Sequence, residues 1–275
     1  MEVIGNRMLS KYGPWAVVAG ASAGLGEAFA RALAGRGFNL VLFARRSKEL
    51  RLLAEELESR EGIEARTVAL DLCGPELMET LAERTGDLDV GLLVYNAAFS
   101  NIGPFLDRTL EDHLRLVGVN CIAPLTLVHY FGGKMRQRGR GGILLMSSLA
   151  AFQGTAYIAN YGASKGFNLL LCEGLWYELK GCGIDVLACC AGPTDTPGYR
   201  ESLSRGEIPV SPGLMKPASV AESALKSLGK RPYVVPGFFN KATHFLMSRI
   251  MSRKMAVRLM GATIGKMYSY PVDGG

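Results

Sequence analysis

The sequence predicts an α/β fold in which a doubly wound parallel sheet of about seven strands carries helices on both faces. The first observation behind this is a strict alternation of short apolar runs with segments of helical periodicity. The second is that the apolar runs are continuous, as in strands that a parallel sheet buries on both faces. The third is a glycine-rich turn, GASAGLG, at the first strand-to-helix junction. Together they favour a single Rossmann-type domain over residues 1–275.

The strands and helices can be assigned in order along the chain. Strands are predicted at residues 15–20, 39–44, 64–70, 90–96, 141–147, 184–190 and 232–235. Helices are predicted at 26–37, 47–62, 75–85, 158–180 and about 217–228, the second of them capped by Ser47. Residues 109–138 are expected to form two helices, or one long helix broken near Pro124. The polar stretch 195–216 is expected to be a long substrate loop.

The composition restricts the class of protein. Hydrophobic residues make up 48% of the 275 positions, enough for a sizeable core. No apolar run reaches the length of about 18 residues that a spanning helix needs, and the N-terminus has no signal-peptide pattern. Six cysteines form no CxxC pair, and we expect them to be buried thiols of a cytoplasmic protein: Cys73, Cys121, Cys172, Cys182, Cys189 and Cys190.

The net charge of +6 is concentrated near the C-terminus. Residues 223–272 contain nine Lys or Arg and no acid, whereas residues 1–222 are close to neutral. This uneven distribution does not indicate nucleic-acid binding by the protein as a whole. The segment 237–275 is expected to be a basic, Met-rich helical extension. It could pack on the body, cover a lipophilic substrate, contact another subunit or lie on an anionic membrane surface.

A tyrosine and a lysine stand four residues apart in the segment YGASK. On a helix Tyr161 and Lys165 would lie on one face, one turn apart. An ammonium group beside a phenol stabilises the phenolate and lowers the phenol pKa, so the pair could serve as an acid and base. An ordinary helix-surface pair is the alternative that these five residues leave open.

The glycine-rich turn has the composition of a phosphate-binding turn. Gly20, Gly24 and Gly26 would let the backbone approach a pyrophosphate at the start of the following helix. The residues between them, Ser22, Ala23 and Leu25, would share that contact. A tight turn without a ligand is the alternative, but the position after the first strand favours a dinucleotide.

Further landmarks follow the later strands in a fixed order. They are Asp71-Leu72 after the third strand, Asn96-Ala97 after the fourth, Asn120 in the long helical region, Ser148 after the fifth strand, and Gly192, Thr194 and Thr196 after the sixth. With the glycine turn and the YGASK segment, they make residues 15 to about 235 resemble the short-chain dehydrogenase/reductase family, in its single-domain classical branch. The chain departs from the usual family pattern at Ala19, Tyr95, Ala98 and Ala191, none of which is a reacting group.

The resemblance implies a role for each landmark. Tyr161 would exchange a proton with the substrate oxygen, Lys165 would lower the Tyr161 pKa and bind the nicotinamide ribose, and Ser148 rather than Ser147 would donate a hydrogen bond to the substrate oxygen. Asn120 would hold a water molecule that links Lys165 to solvent. The cofactor would also contact Asp71, Leu72, Asn96, Ala97, Gly192, Thr194 and Thr196.

The end of the second strand indicates which dinucleotide is bound. Ala44 occupies the position where an acid would bind a ribose 2′-hydroxyl, and Arg45 and Arg46 follow it. Since a guanidinium can bind a 2′-phosphate, we expect NADP(H) rather than NAD(H), with Arg45 as the main contact and Ser22 assisting. Both arginines could instead be solvated surface residues.

The expected activity is therefore NADP(H)-dependent interconversion of a carbonyl and a secondary alcohol on a hydrophobic, steroid-like or 3-ketoacyl-like substrate. A dinucleotide-sensing binding protein and an extended-type epimerase or dehydratase are the alternatives. The resemblance also implies a homodimer or homotetramer. No metal site is expected, because His113, His129 and His244 are scattered. Tyr157 and Tyr177 lack a lysine four residues on and are expected to be packing or substrate-pocket residues.

Overall fold

The computed structural model describes residues 2–203, 213–268 and 270, and it contains a sheet of seven parallel strands. The strands are β1 (Trp15–Ala19), β2 (Asn39–Ala44), β3 (Ala65–Ala69), β4 (Val90–Tyr95), β5 (Gly141–Ser148), β6 (Ile184–Ala191) and β7 (Tyr233–Val234). Their order in the sheet is β3-β2-β1-β4-β5-β6-β7. The order reverses direction next to β1, which confirms the predicted doubly wound sheet.

Helices connect the strands and cover both faces of the sheet. In chain order they are α1 (Glu2–Tyr12), α2 (Gly24–Ala34), α3 (Ser47–Glu61), α4 (Leu77–Thr85), α5 (Leu110–Val117), α6 (Ala123–Arg138), α7 (Ala159–Glu178), α8 (Pro197–Ser202), α9 (Pro217–Ser227), α10 (Phe238–Phe245) and α11 (Arg253–Met267). Five-residue π-helical turns join α5 to α6 and follow α10. The sequence analysis did not predict α1 or α8.

Strand β1 shows why the sheet is apolar on both faces. Val18 packs into one core, between the sheet and α2, α3 and α9, with Phe29 and Leu50. Val17, its neighbour in the strand, packs into a second core with Leu81 and Phe131, against α4 and α6. Because successive strand residues point to opposite faces, a continuous apolar run supplies both cores.

Three helix boundaries and one loop differ from the sequence prediction. Helix α2 begins at Gly24 and ends at Ala34, so Gly26 is its third residue rather than its first. Ser47 is the first residue of α3 rather than its cap, and Arg46 holds the cap position without a side-chain cap bond. Within the stretch expected to be a loop, Thr196 caps the short helix α8 by accepting a hydrogen bond from the Tyr199 backbone. Residues 204–212 of that stretch lie outside the described residues.

The helical stretch before Pro124 contains a π-helical turn, Gly118–Ile122, where the sequence suggested a break near the proline itself. Pro124 has no backbone N–H, so it cannot bond to the carbonyl of Asn120 four residues earlier. The Asn120 carbonyl instead accepts a hydrogen bond of 2.9 Å from Asn168 Nδ2 on α7. The proline thereby frees a backbone group that ties α7 to this helix.

By length and composition alone, the stretch Leu110–Arg138 could cross a membrane, although 44% of its most apolar window is buried inside the protein. Its buried residues Leu127 and Phe131 pack against the sheet, as those of a core helix do. The expectation of no spanning helix rested on uninterrupted apolar runs, and this stretch is interrupted by charged residues at both ends.

The cysteines are more varied in burial than the sequence suggested. Cys172, Cys189 and Cys190 are buried, and burial raises the pKa of Cys190 to about 12. Cys73 is exposed, so its interpretation as a buried thiol is wrong. It follows β3 at the edge of the sheet, where fewer elements cover the chain.

Candidate active site

The glycine turn has the backbone that close approach by a ligand requires. Gly20 and Gly24 have positive φ angles of 81° and 60°, which only glycine adopts without strain. A Cβ atom on Gly20 would also lie 2.6 Å from the Ala97 backbone nitrogen. Asn96 Nδ2 donates to the Gly20 carbonyl at 3.0 Å and holds the turn in place. The first backbone N–H groups of α2 follow directly, and they are suited to binding a phosphate.

Gly26 serves helix packing rather than ligand contact. A Cβ atom there would lie 1.9 Å from the Gly20 carbonyl oxygen and 2.8 Å from Asn96 Nδ2. Gly26→Ala is therefore expected to lower the free energy of unfolding by about 1–3 kcal/mol and to weaken dinucleotide binding, because the turn must move. Chemical unfolding and nucleotide titration measure both effects.

Gly174→Ala is the matched control, because no heavy atom lies within 4 Å of the added Cβ position on α7. This change is expected to leave nucleotide binding unchanged and to raise stability by up to about 1 kcal/mol through helix propensity. A Gly26→Ala variant as stable as the wild type would contradict the packing that we describe.

Three predicted catalytic residues meet at the carboxyl end of β5. Ser148 ends this strand, and Tyr161 and Lys165 share one face of α7 as their spacing predicts. A hydrogen bond joins the side chains of Ser148 and Tyr161. The Lys165 ammonium lies 5.6 Å from the centre of the Tyr161 ring and donates to the Met146 carbonyl at 3.0 Å. Ser147, the neighbouring candidate, instead donates to the Lys165 carbonyl and is buried.

Burial dominates the acid–base properties of this group. It raises the pKa of the Tyr161 phenol, and the hydrogen bond with Ser148 acts in the opposite direction. It lowers the pKa of Lys165 from 10.5 to about 8, since only 3% of that residue is exposed. The structure thus differs from the expected lowering of the phenol pKa, because desolvation of the phenolate outweighs the hydrogen bond with Ser148.

Asn120 is buried and does not line the cleft. Its Oδ1 accepts from the Phe99 backbone at 2.8 Å, and its Nδ2 donates to the Phe99 carbonyl at 2.9 Å and to Ser164 Oγ at 3.0 Å. Both amide donors are therefore used within the protein. A water molecule held by Asn120, as the resemblance implies, could use only the remaining acceptor positions.

The two arginines after β2 both line the cleft but have different neighbours. Arg46 donates from Nε and Nη2 to Ser22 Oγ, at 3.2 and 3.0 Å. Arg45 is close enough to Cys73 for its charge to act on that thiol. Burial raises the Cys73 pKa, and the positive charges of Arg115 and Arg45 oppose this effect. The sequence analysis favoured Arg45 with Ser22 assisting, whereas the structure joins Ser22 to Arg46.

The loop after β6 closes the cleft over the glycine turn. A Cβ atom on Gly24 would lie 3.0 Å from the Thr196 side chain, so the two segments nearly touch. Thr194 donates to the Gly192 carbonyl at 3.0 Å, which fixes the start of the loop. Asp71, expected beside an adenine ring, accepts from the Cys73 backbone at 3.1 Å.

The C-terminal helices supply an apolar wall on the side of the cleft that contains Tyr161. Met260, Ile264 and Met267 of α11 and the following Tyr268 line the cleft. The charge of Tyr268 contributes to raising the pKa of Tyr161, so the two phenols are close in space. The sequence analysis proposed a covering role for this segment, and Met260 belongs to its apolar stripe. It did not identify Ile264, Met267 or Tyr268, because their distance from Tyr161 in the chain gives no signal.

The cleft has a volume of about 970 Å³. The predicted site residues that line it are Gly20, Ser22, Ala23, Gly24, Leu25, Arg45, Arg46, Asp71, Leu72, Asn96, Ala97, Ser148, Tyr161, Lys165, Gly192, Thr194 and Thr196. Gly26 and Asn120 do not line it. Its combination of a phosphate-type turn, two arginines and a buried lysine that has one hydrogen-bond acceptor among the described residues fits a dinucleotide phosphate.

The other tyrosines and histidines that the sequence analysis considered lie in packing or surface positions. Tyr157 stacks on Tyr270 with ring centres 4.8 Å apart, as a packing residue does, whereas Tyr177 is 81% exposed in this chain. His113 stacks on Phe105, and His244 packs near Phe152. Among the described residues, no group of three or more His, Cys, Asp or Glu side chains could hold a metal ion.

Comparison with known proteins identifies relatives along most of the chain. The 7beta-hydroxysteroid dehydrogenase of Collinsella aerofaciens is 32% identical over 235 residues, which are 84% of this chain and 89% of that protein. The very-long-chain 3-oxoacyl-CoA reductase of Neurospora crassa is 40% identical over 185 residues, which are 66% of this chain and 56% of that protein.

Solved structures agree with this. A 7beta-hydroxysteroid dehydrogenase structure matches with a TM-score of 0.87 and 30% identity, covering 92% of this chain and 98% of that chain. A short-chain dehydrogenase from Sphingobium yanoikuyae in complex with NADPH matches with a TM-score of 0.73 and 30% identity, covering 87% and 97%. The family model for short chain dehydrogenases matches residues 14–206. The chain therefore belongs to the short-chain dehydrogenase/reductase family and is an oxidoreductase that acts on hydroxyl or keto groups.

Proposed function

We propose that the protein is an NADP(H)-dependent oxidoreductase that interconverts a carbonyl and a secondary alcohol on a bulky hydrophobic substrate. The observation that carries this proposal is the position of Ser148, Tyr161 and Lys165 between the glycine turn and the apolar wall of α11. A cofactor on one side and a lipophilic substrate on the other would then meet at the phenol.

Each of the three side chains has a defined task in this proposal. Tyr161 gives its proton to the substrate oxygen during reduction and takes it back during oxidation. Ser148, already bonded to Tyr161, donates a hydrogen bond that stabilises negative charge on the same oxygen. Lys165 holds the cofactor ribose and supplies a positive charge beneath the phenol. A bound nicotinamide supplies the hydride.

The cofactor preference rests on the residues after β2. Ala44 offers no carboxylate to a ribose 2′-hydroxyl, and it would not repel a 2′-phosphate. Arg46 and Ser22 already share hydrogen bonds beside the glycine turn, and Arg45 lines the same end of the cleft. An anionic phosphate between these groups would receive charge-assisted hydrogen bonds.

Replacing Arg46 tests this preference. Arg46→Ala is expected to weaken NADPH binding about tenfold or more, because a charge-assisted bond to the phosphate is lost, and to leave NADH binding within about twofold. Arg45→Ala is expected to have a smaller effect in the same direction. Fluorescence titration with both nucleotides measures each constant.

Arg51→Ala, an exposed arginine further along α3, is the matched control and is expected to change neither constant. Equal weakening of NADPH and NADH by Arg46→Ala would contradict a role in binding the 2′-phosphate.

The lining of the cleft supports a large, apolar substrate. Ile102, Ile158, Met260 and Ile264 face the space around Tyr161, and methionine adapts to irregular apolar shapes. The relatives act, by their names, on a hydroxysteroid and on a very-long-chain 3-oxoacyl thioester. Measuring kcat/KM with NADPH on steroid ketones and on long-chain 3-oxoacyl thioesters decides between them. Absence of turnover on both classes, with NADPH binding intact, would favour a dinucleotide-sensing protein instead.

We also propose a cytoplasmic homodimer or homotetramer. Large apolar side chains are exposed on α5, α6 and α7, around the helix that carries the catalytic pair: Leu110, Leu114, Leu125, Leu170 and Tyr177. Such a patch is typical of an interface between subunits. The six cysteines are all free, as expected in a reducing compartment.

A further inference from the structure

Helices α10 and α11 and the π-helical turn between them, Leu246–Ile250, leave several large apolar side chains exposed. Seven such side chains are between 48% and 79% exposed: Phe238, Phe239, Phe245, Leu246, Ile250, Met255 and Leu259. Phe238 and Phe245 are seven residues apart, two helical turns, and so share one face of α10. We call these seven residues, with the basic residues described next, the C-terminal surface.

Basic residues are interleaved with these apolar ones. Lys241, Arg249, Arg253, Lys254, Arg258 and Lys266 are exposed, and within the described residues none of them forms an ion pair with a carboxylate. The sequence from 223 to 272 contains no acid that could neutralise them. Elsewhere the surface arginines are commonly paired, as Arg31 is with Glu56 and Arg66 with Asp87.

The combination of exposed apolar and basic side chains indicates what binds to the C-terminal surface. A second copy docking through the same surface would place these cations against one another, which costs free energy. An anionic bilayer accepts both components, since its headgroups attract Lys and Arg and its acyl boundary takes Phe and Leu. The exposed apolar patch on α5, α6 and α7 is a different surface, because it includes the helix that carries Tyr161 and Lys165. We propose that patch, and not the C-terminal surface, as the contact between subunits.

The inner side of the same helix lies at the substrate cleft. Met260, Ile264 and Met267 line the cleft, whereas Met255 and Leu259 point outward from α11. The C-terminal surface is therefore the outer side of the cleft wall. A membrane bound there would lie next to the cleft in which we propose that a lipophilic substrate binds.

We propose that the C-terminal surface docks the protein reversibly on an anionic lipid bilayer. The apolar side chains of the C-terminal surface enter the headgroup region, and its six basic side chains bind acidic lipids. This holds the cleft wall at the membrane surface, where hydrophobic substrates are concentrated. The docking itself does not depend on the proposed catalytic activity.

Vesicle co-sedimentation tests the docking directly. The full-length protein is expected to sediment with phosphatidylcholine vesicles that contain about one third phosphatidylglycerol, and to bind pure phosphatidylcholine at least about tenfold more weakly. Added salt is expected to weaken the binding, because the bases contribute through charge. Equal binding to both vesicles, or binding to neither, would overturn the proposal.

Two variants separate the charged and apolar contributions. Arg249→Glu combined with Arg258→Glu, and Phe238→Gln combined with Phe245→Gln, are each expected to weaken binding to the acidic vesicles at least about tenfold. The control is Arg51→Glu combined with Arg136→Glu, which makes the same change in net charge at exposed positions outside the C-terminal surface. Equal losses in the control and the Arg249/Arg258 variant would show only a net-charge effect and overturn the proposal.

Sedimentation without lipid tests a second copy as the occupant. The Phe238/Phe245 variant is expected to keep the wild-type sedimentation coefficient and thermal melting temperature. If that variant dissociated a wild-type oligomer, the surface would be a subunit interface and the membrane proposal would be wrong.

Discussion

Tyr161→Phe is expected to lower kcat for carbonyl reduction about a thousandfold while NADPH binding stays within about twofold. The change removes one oxygen atom and keeps the ring that packs beside Lys165. Ser148 then remains to bind the substrate oxygen but has no proton of suitable pKa to transfer. Single-turnover reduction and nucleotide titration separate the two effects.

Tyr177→Phe is the control for this prediction, because that phenol is 81% exposed and is not part of the cleft lining. It is expected to leave kcat unchanged. The pH dependence adds a second readout: burial raises the pKa of Tyr161, so the wild type should keep its proton donor through neutral pH in reduction. Oxidation needs the deprotonated phenol and should accelerate as the pH rises. A Tyr161→Phe variant with wild-type kcat would remove this residue from the chemistry.

Lys165→Met is expected to abolish activity and at the same time to stabilise the folded protein. Lys165 is 3% exposed, and burial lowers its pKa from 10.5 to about 8. The difference corresponds to a cost of about 3 kcal/mol for keeping the ammonium charged below pH 8. Methionine fills a similar volume without a charge, so the melting temperature should rise by a few degrees.

The sign of the pH dependence follows from the lowered pKa. Between about pH 8 and pH 10.5 the unfolded chain binds a proton that the folded chain has lost, so wild-type stability gains with rising pH across this window. The advantage of Lys165→Met should therefore be largest below pH 8 and shrink toward pH 10.5. Lys180→Met, at an exposed lysine after α7, should show neither effect. A lower melting temperature for Lys165→Met at neutral pH would contradict a costly buried charge.

The sequence predicted the parts of this structure that depend on local pattern. Continuous apolar runs such as 39–44 became buried strands, and the four-residue spacing of Tyr161 and Lys165 placed them on one face of α7. The glycine turn was predictable because positive φ angles at Gly20 and Gly24 admit almost no other residue.

What the sequence did not predict depends on contacts between distant segments. Nothing near Arg46 in the chain shows that it bonds to Ser22, 24 residues away. Burial in the folded chain raises the Tyr161 pKa, and the charge of Tyr268, which is distant in the sequence, adds to this effect. The turn around Asn120 is a π-helix because Pro124 removes a hydrogen bond and Asn168 replaces it. Spacing rules apply to the residues of one helix, so they cannot predict that a side chain of another helix replaces a backbone hydrogen bond.

Transfer of a deuteride from NADPH labelled at C4 of the nicotinamide tests the central claim most directly. With a steroid ketone or a 3-oxoacyl thioester as substrate, we predict an alcohol that carries the deuterium on its carbinol carbon, formed in equal amount to the NADPH consumed. We also predict much slower transfer from labelled NADH. An unlabelled alcohol, or no alcohol from either nucleotide on a protein that binds NADPH, would contradict the assignment of this site to carbonyl reduction.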